Sequence, residues 1–226
     1  MLKYEVELLD IKEEVEGTKT FSFSKPEGFT WEEGAHIHIG LEGFDAGEKP
    51  NRDLVHHMSI SSLPEEERVS ITTRISSSHS QFKTILGSMK KRDQVKLFKC
   101  GNRMALRRSN HPIVLLSMGV GVATMRPMIY KFLKNQEGIP KLYNVNVDSS
   151  GDFVFKEELD KLQNQDYKNL WISSRDDYYR ELKQLKDISG AIFYIVGSDG
   201  FLISTVKYLE DLQVDPSHIV LFFKRK

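Results

Sequence analysis

A short apolar run that ends on two glycines constrains this chain more than any other stretch: Pro112-Ile113-Val114-Leu115-Leu116-Ser117-Met118-Gly119-Val120-Gly121. Val122-Ala123-Thr124-Met125-Arg126-Pro127-Met128 follows at once and reads as the start of a helix. A strand of a parallel sheet is apolar along its whole length because both of its faces are covered. Glycine lets backbone approach a bulky anion, and the helix N-terminus behind it carries partial positive charge. The segment is therefore expected to deliver a backbone loop to a phosphate group. A tight strand-to-helix turn without a ligand is the alternative.

The run lies halfway along 226 residues, with a different kind of sequence before it. The first hundred residues alternate with period two. Tyr4, Val6, Leu8 and Ile11 mark one strand, Phe21 and Phe23 a second, and Ala35-His36-Ile37-His38-Ile39 a third. Val55 to Ser62, Val69 to Ile75 and Val95 to Phe98 complete six. Glycine, proline and acidic turns between such strands predict an antiparallel arrangement, a small six-stranded Greek-key barrel. One helix interrupts it, with Phe82, Ile85, Leu86 and Met89 at helical spacing and Ser80 as N-cap. After Arg107-Arg108-Ser109-Asn110 the pattern changes. Apolar strands at Ile113–Ser117, Leu142–Val147, Leu170–Ser173, Ile192–Val196 and Ile219–Phe223 alternate with helical segments near Met125–Asn135, Phe155–Gln163, Tyr178–Leu185 and Gly200–Leu212. That alternation predicts a doubly wound, five-stranded parallel sheet. The fold class is thus all-β plus α/β, with domains expected at 1–109 and 110–226.

Composition narrows the function. Thirty-two basic and 32 acidic residues balance, so no overall charge recruits nucleic acid or an anionic membrane. No apolar run reaches the roughly 20 residues that span a bilayer, and the acidic, alternating N-terminus does not read as a signal peptide. A cytoplasmic protein is expected. Cys100 is the only cysteine, which excludes an internal disulfide and an internal four-cysteine iron–sulfur cluster. The seven histidines lack metal-ligand spacing, so no metal is expected. No Gly-x-Ser-x-Gly nucleophile turn is present.

Four segments carry chemistry in order along the chain. His56-His57-Met58-Ser59-Ile60 ends a barrel strand. Thr72-Thr73-Arg74 ends the next, and Ser77-Ser78-His79-Ser80 opens the helix. The Met118–Met128 loop follows the first parallel strand, and Val196-Gly197-Ser198 follows the fourth. A barrel followed by a parallel nucleotide-binding sheet, with these segments in this order, resembles the ferredoxin–NADP reductase family across essentially the whole chain, as a divergent member. Members of that family bind a flavin on the barrel and a nicotinamide nucleotide on the sheet.

The resemblance implies roles residue by residue. His56, Met58 and Ser59 stand where the family has Arg-x-Tyr-Ser. Ser59 is then the catalytic candidate, its hydroxyl facing the flavin N5, and Met58 packs on the ring in place of tyrosine. His56 replaces the arginine that grips the pyrophosphate, and one neutral donor is weaker than a guanidinium. Arg74 is placed to supply the charge that His56 lacks, and Ile60, Thr72, Ser78, His79 and Ser80 complete the expected flavin contacts. The alternative is that His56 and Met58 are ordinary barrel residues, and that Ser80 only caps its helix beside a solvated serine loop.

On the sheet, Gly119, Gly121 and Arg126 match the family's Gly-Gly-x-Gly-x-Thr-Pro-x-Arg loop. Met118, Ala123 and Thr124 depart from it. The expected nucleotide contacts are Gly119, Gly121, Val122, Ala123, Thr124, Asp148, Gly197 and Ser198. Asp148 stands where relatives specific for NADP carry an arginine. A carboxylate accepts from a ribose 2′-hydroxyl and repels a 2′-phosphate, so NADH is favoured over NADPH. Arg175 is the residue that argues for NADPH, and a turn-opening role is the alternative for Asp148. Val196 replaces a cysteine that positions the nicotinamide. Phe223 either shields the flavin or belongs to the strand core.

The resemblance therefore implies a flavin-dependent oxidoreductase that passes electrons between a nicotinamide nucleotide and an acceptor through FAD, with FMN the less favoured flavin. Two other readings stand beside it. One is a flavin-binding electron-transfer or regulatory subunit that needs a separate electron-carrier protein. The other is a nucleotide-binding module without catalysis. The sequence names neither the acceptor nor the oligomeric state.

Overall fold

The computed structural model describes residues 2–75 and 80–222. The chain divides into two compact units, Met1–Asn102 and Arg103–Lys226.

The first unit contains β1 (Lys3–Val15), β2 (Thr18–Ser24), β3 (Ala35–Gly40), β4 (Val55–Ser59), β5 (Arg68–Arg74), α1 (Gln81–Ser88) and β6 (Gln94–Asn102). Its strands form a six-stranded sheet in the order β4-β3-β6-β1-β2-β5, so β6 inserts between β3 and β1 in Greek-key fashion. Every neighbouring pair is antiparallel. The ends of the sheet meet just beyond β4. The Ser61 N–H donates to the Ser70 carbonyl at 2.8 Å, and the Ser62 hydroxyl donates to the Arg68 carbonyl at 2.8 Å. The alternation read in the sequence turns Phe21, Phe23, Ile37, Ile39, Ile71 and Leu97 inward, where they are fully buried. Helix α1 covers the core with Phe82 and Leu86.

The second unit contains β7 (Ile113–Met118), α2 (Val122–Lys134), β8 (Leu142–Val147), α3 (Lys156–Asp160), β9 (Tyr167–Ile172), α4 (Arg175–Leu185), β10 (Ile192–Val196), α5 (Asp199–Asp211) and β11 (Ile219–Leu221). The sheet is parallel throughout, in the order β11-β10-β7-β8-β9. Strand order reverses at β7, whose neighbours are β8 on one side and β10 on the other. One face of the sheet packs Val114, Leu116, Val145, Phe193 and Ile195 against α4 and α5 through Leu182, Leu185 and Leu209. Met125, Met128, Ile129 and Phe132 of α2 are fully buried.

The expected fold class is therefore the observed one, with differences at element ends. β4 stops at Ser59, because the next residues turn to bond with Ala35 and with β5. β9 begins at Tyr167, three residues before the apolar run does. The Asn164 side chain accepts from the N–H groups of Asp166 and Tyr167 at 2.8 and 3.0 Å and launches the strand. α2 begins earlier than its apolar periodicity suggests, since a 3-10 turn over Gly119–Gly121 feeds directly into it. α3 is shorter than its expected span, with Phe155 in left-handed conformation before it. Among the described residues, no helix is long and apolar enough to cross a membrane.

Candidate functional site: a glycine crevice and a barrel rim

In an open parallel sheet, the crevice where strand order reverses is where ligands bind, at the carboxyl ends of the strands. Here that crevice lies between β7 and β10. Gly119, the first residue after β7, has φ +55, a left-handed conformation that glycine adopts without cost. A Cβ on Gly121 would stand 2.9 Å from the Val196 carbonyl oxygen at the end of β10. Only glycine lets the loop pass that close to the neighbouring strand. A Cβ on Gly197 would meet the Phe201 ring and lie 3.1 Å from the Met118 Cβ. Gly119, Gly121, Gly197 and Ser198 are thus brought together around one crevice.

Ser198 is committed in part to local structure. Its Oγ accepts from the Phe201 N–H at 3.3 Å, capping α5, and lies 3.7 Å from the Met118 sulfur. Met118 is one of the few large apolar side chains left exposed. Val122, Ala123 and Thr124 have buried side chains, so backbone amides are what this part of the loop offers. Arg126 does not point at the crevice loop: its Nε donates to Glu158 at 2.7 Å, and the guanidinium lies over the rings of Tyr130 and Phe155. It holds α3 against α2.

Asp148 follows β8 on the other side of β7. Its Oδ1 accepts from the Ser150 N–H at 3.0 Å and the Ser150 hydroxyl at 2.7 Å, so it does open the turn. Its Oδ2 faces Gly119, 3.4 Å from where a Cβ would stand. The turn uses Oδ1, whereas Oδ2 lies on the Gly119 side. Arg175 is exposed at the start of α4, with its guanidinium 5.6 Å from the Tyr179 ring centroid.

A further residue shapes this loop. Asn146, fully buried in β8, donates from Nδ2 to Ser117 Oγ at 2.9 Å and to the Gly119 carbonyl at 3.0 Å. The signal was present as three polar residues, Asn144, Asn146 and Asp148, on one face of an otherwise apolar strand.

On the barrel, β4 differs from its neighbour. β3 alternates between fully buried and half-exposed residues, whereas all five residues of β4 are half-exposed. A partly exposed strand at the edge of the sheet can take a flat ring or a chain of polar groups against it. His56 pairs with Ile39 across the strands, and its ring meets the buried Phe82 of α1 edge-on at 5.2 Å between centroids. Met58 packs against the barrel core. Ser59 pairs with His36. On that same face His57 lies 4.3 Å from His36 and 5.0 Å from His38 between ring centroids. Burial, helped by the nearby Lys99, holds His38 below the ordinary imidazole range.

The remaining expected flavin contacts are placed as follows. Ser80 caps α1, accepting from the Lys83 N–H at 3.3 Å, and Arg74 is exposed at the end of β5. Ile60 is fully buried. The Thr72 hydroxyl is buried and donates to Ser61 Oγ at 3.0 Å, with Thr20 Oγ1 at 2.8 Å, so the barrel already uses it. Ser78, His79 and Phe223 lie outside the described residues. Among the described residues, no three His, Cys, Asp or Glu side chains are grouped to hold a metal.

Comparison with known proteins agrees with this architecture. No family model matches the chain. A flavohemoprotein of Vibrio cholerae serotype O1 is 31% identical over 136 residues, which is 56% of this chain and 34% of the relative. The matched part thus spans about a third of that relative's length. Among solved structures, a ferredoxin NADP+ reductase from Neisseria gonorrhoeae with bound FAD and NADP superposes with a TM-score of 0.81 at 13% identity, covering 97% of this chain and 98% of that one. The FAD/NAD-binding domain of nitric oxide dioxygenase from Vibrio cholerae O1 biovar El Tor gives 0.75 at 18% identity, covering 96% and 97%. Phthalate dioxygenase reductase gives 0.77 at 14% identity, covering 97% and 67%. The chain has the two-part fold of these reductases.

Proposed function

We propose that this chain is a flavin-dependent NAD(P)H oxidoreductase, with FAD on the barrel (1–109) and the nicotinamide nucleotide on the parallel sheet (110–226). The observation that carries the reading is the glycine crevice. Gly119 takes a left-handed turn and Gly121 passes too close to β10 for any side chain, at the point of the sheet where dinucleotides bind. Such a loop serves a ligand with phosphate groups.

The barrel residues fit a flavin. The rim strand β4 is half-exposed on both faces, and His56 stands beside the first turn of α1, whose N-terminus favours negative charge. FAD when bound accepts a hydride from the nicotinamide and gives electrons on to a second acceptor. In this reading Met58 gives the ring only the part of its side chain that does not pack on the barrel core, Ser59 offers a hydroxyl near N5, and His56 and Ser80 meet the pyrophosphate. Stabilising charge where it develops is the largest contribution such polar groups make. Arg74 adds positive charge at the end of β5.

Asp148 favours NADH. Its carboxylate is buried to within 9% exposure, so its charge is weakly screened against a 2′-phosphate. The electrons are proposed to leave to a separate electron carrier. Phthalate dioxygenase reductase is described as transferring electrons from pyridine nucleotides to a [2Fe-2S] centre. Cys100 alone cannot ligate such a cluster, so here it would belong to another domain or protein.

The test is an absorbance titration of purified protein with FAD and with FMN. A bound-flavin spectrum with FAD supports the reading. Absence of any flavin signal with either compound removes the oxidoreductase reading and leaves a nucleotide-binding module.

A further inference from the structure

Asn146 sits where a strand buried on both faces would ordinarily carry Val, Ile or Leu. It is fully buried, and its Oδ1 has no hydrogen-bond partner. Burying an amide with an unsatisfied acceptor is destabilising, so packing alone does not account for the residue. Its donor side is fully used. Nδ2 reaches Ser117 Oγ and the Gly119 carbonyl, and the same carbonyl also accepts from the Val122 N–H.

Two donors on one carbonyl fix the direction of that C=O. The peptide bond is planar and trans, so the N–H of the next residue points the opposite way. The Gly119 carbonyl is held toward β8, on one side of β7. The Val120 N–H therefore points away from the Asn146 amide and the Val122 N–H. It is also among the first amides of the helical segment, which have no partner within the helix.

We infer that Asn146 is a positioning residue for the nucleotide loop: it locks the Gly119–Val120 peptide so that the Val120 N–H donates to a pyrophosphate oxygen of a dinucleotide in the β7/β10 crevice. This rests on the proposed nucleotide-binding role of the sheet. Without the Asn146 donor, the carbonyl of the left-handed Gly119 peptide is held by the Val122 N–H alone, and glycine adds little intrinsic preference there.

Asn146→Leu removes the donor at similar volume. Asn146→Asp keeps the shape and loses the donor while ionised, but regains one, an O–H, when protonated. Burial raises a carboxyl pKa, so that regain falls within an accessible pH range. The expected result is NADH binding roughly tenfold weaker in Asn146→Leu, the value of about one buried hydrogen bond. Asn146→Asp should be equally weak at pH 8 and approach the wild type as pH falls toward 5.5. The Val120 amide, followed by 15N NMR, should shift on NADH addition in the wild type. The Val122 N–H, which donates to the Gly119 carbonyl, should exchange faster in Asn146→Leu.

Unchanged NADH affinity in Asn146→Leu, or Asn146→Asp tracking the wild type at every pH, overturns the inference. A wild type that binds neither NADH nor NADPH defeats the nucleotide reading and the pyrophosphate contact with it. Exchange at Val122 then still separates the lock from the ligand contact, because a Gly119 carbonyl held by Asn146 requires acceleration there in Asn146→Leu whatever the ligand. No acceleration overturns the lock itself.

Discussion

The Asp148 carboxylate and Gly119 face each other at the carboxyl edge of the sheet, with Asp148 Oδ2 3.4 Å from the position a Gly119 Cβ would take. That spacing is ordinary contact, so the carboxylate alone does not forbid a side chain. The φ of +55 does the forbidding. Gly119→Ala is expected to destabilise the second unit by about 1–2 kcal/mol from the left-handed backbone alone. Gly121→Ala should cost about 1–3 kcal/mol for a different reason, because backbone at Val196 has to move. Denaturation midpoints compared with NADH affinity check both: each variant should lose affinity by more than its stability loss explains.

Asp148 also sets nucleotide choice in this account. An arginine substitution is crowded at a residue only 9% exposed, so Asp148→Asn is the cleaner variant. It keeps an oxygen for the Ser150 N–H and hydroxyl and removes only the charge. The NADPH-to-NADH ratio of flavin reduction rates should rise about tenfold, at the low end of a Coulomb repulsion of about 1–4 kcal/mol at 4 Å. A wild type that already prefers NADPH would point to Arg175.

His56 is half-buried with its ring edge-on to Phe82. His56→Arg should tighten FAD binding by roughly five- to tenfold, since a charge-assisted bond to phosphate is stronger than a neutral one. His56→Ala should loosen it. If the imidazole serves only to pack on α1, the arginine variant will melt lower and bind FAD no better.

His38 makes stability fall in mild acid. Its ring lies between His57 and Phe98, its Nδ1 is buried without a hydrogen-bond partner, and Lys99 is nearby. Burial first, then Lys99, lower its folded-state pKa, while the unfolded chain titrates at about 6.5. Below that value the unfolded state binds the proton and the folded state does not, so stability drops as pH falls toward the folded pKa. Carboxylates such as Asp10 and Asp45 are lowered too, but their effect belongs to pH below the usual carboxylate range. His38→Phe should flatten the melting temperature between pH 7.5 and 5.5. An equal drop in the variant would assign the acid sensitivity elsewhere.

Much of this architecture is legible in the residues because period two and period 3.6 are local signals. Phe21, Phe23, Ile37 and Ile39 declare their faces without reference to anything distant, and Ile113–Ser117 ends visibly on glycine. Element ends are less legible, because they depend on single hydrogen bonds such as Asn164 to Tyr167. Thr72 illustrates a further limit. Its hydroxyl is taken by Thr20 and Ser61, partners 52 and 11 residues away, which no linear pattern reveals. Arg126 matches a family position in sequence, yet its charge is engaged by Glu158, 32 residues on. Asn146 carries a visible anomaly, a polar side chain in an apolar strand, but its bond to Gly119 exists only once β7 and β8 are side by side.

One chain is proposed to bind both a flavin and a nicotinamide nucleotide and to move a hydride between them. The most direct measurement is anaerobic stopped-flow absorbance of the FAD-loaded protein mixed with NADH, and separately with NADPH. Bleaching of the oxidised flavin band, faster with NADH and saturating with its concentration, is the predicted result. FAD that binds but stays oxidised under excess of both nucleotides would contradict the account.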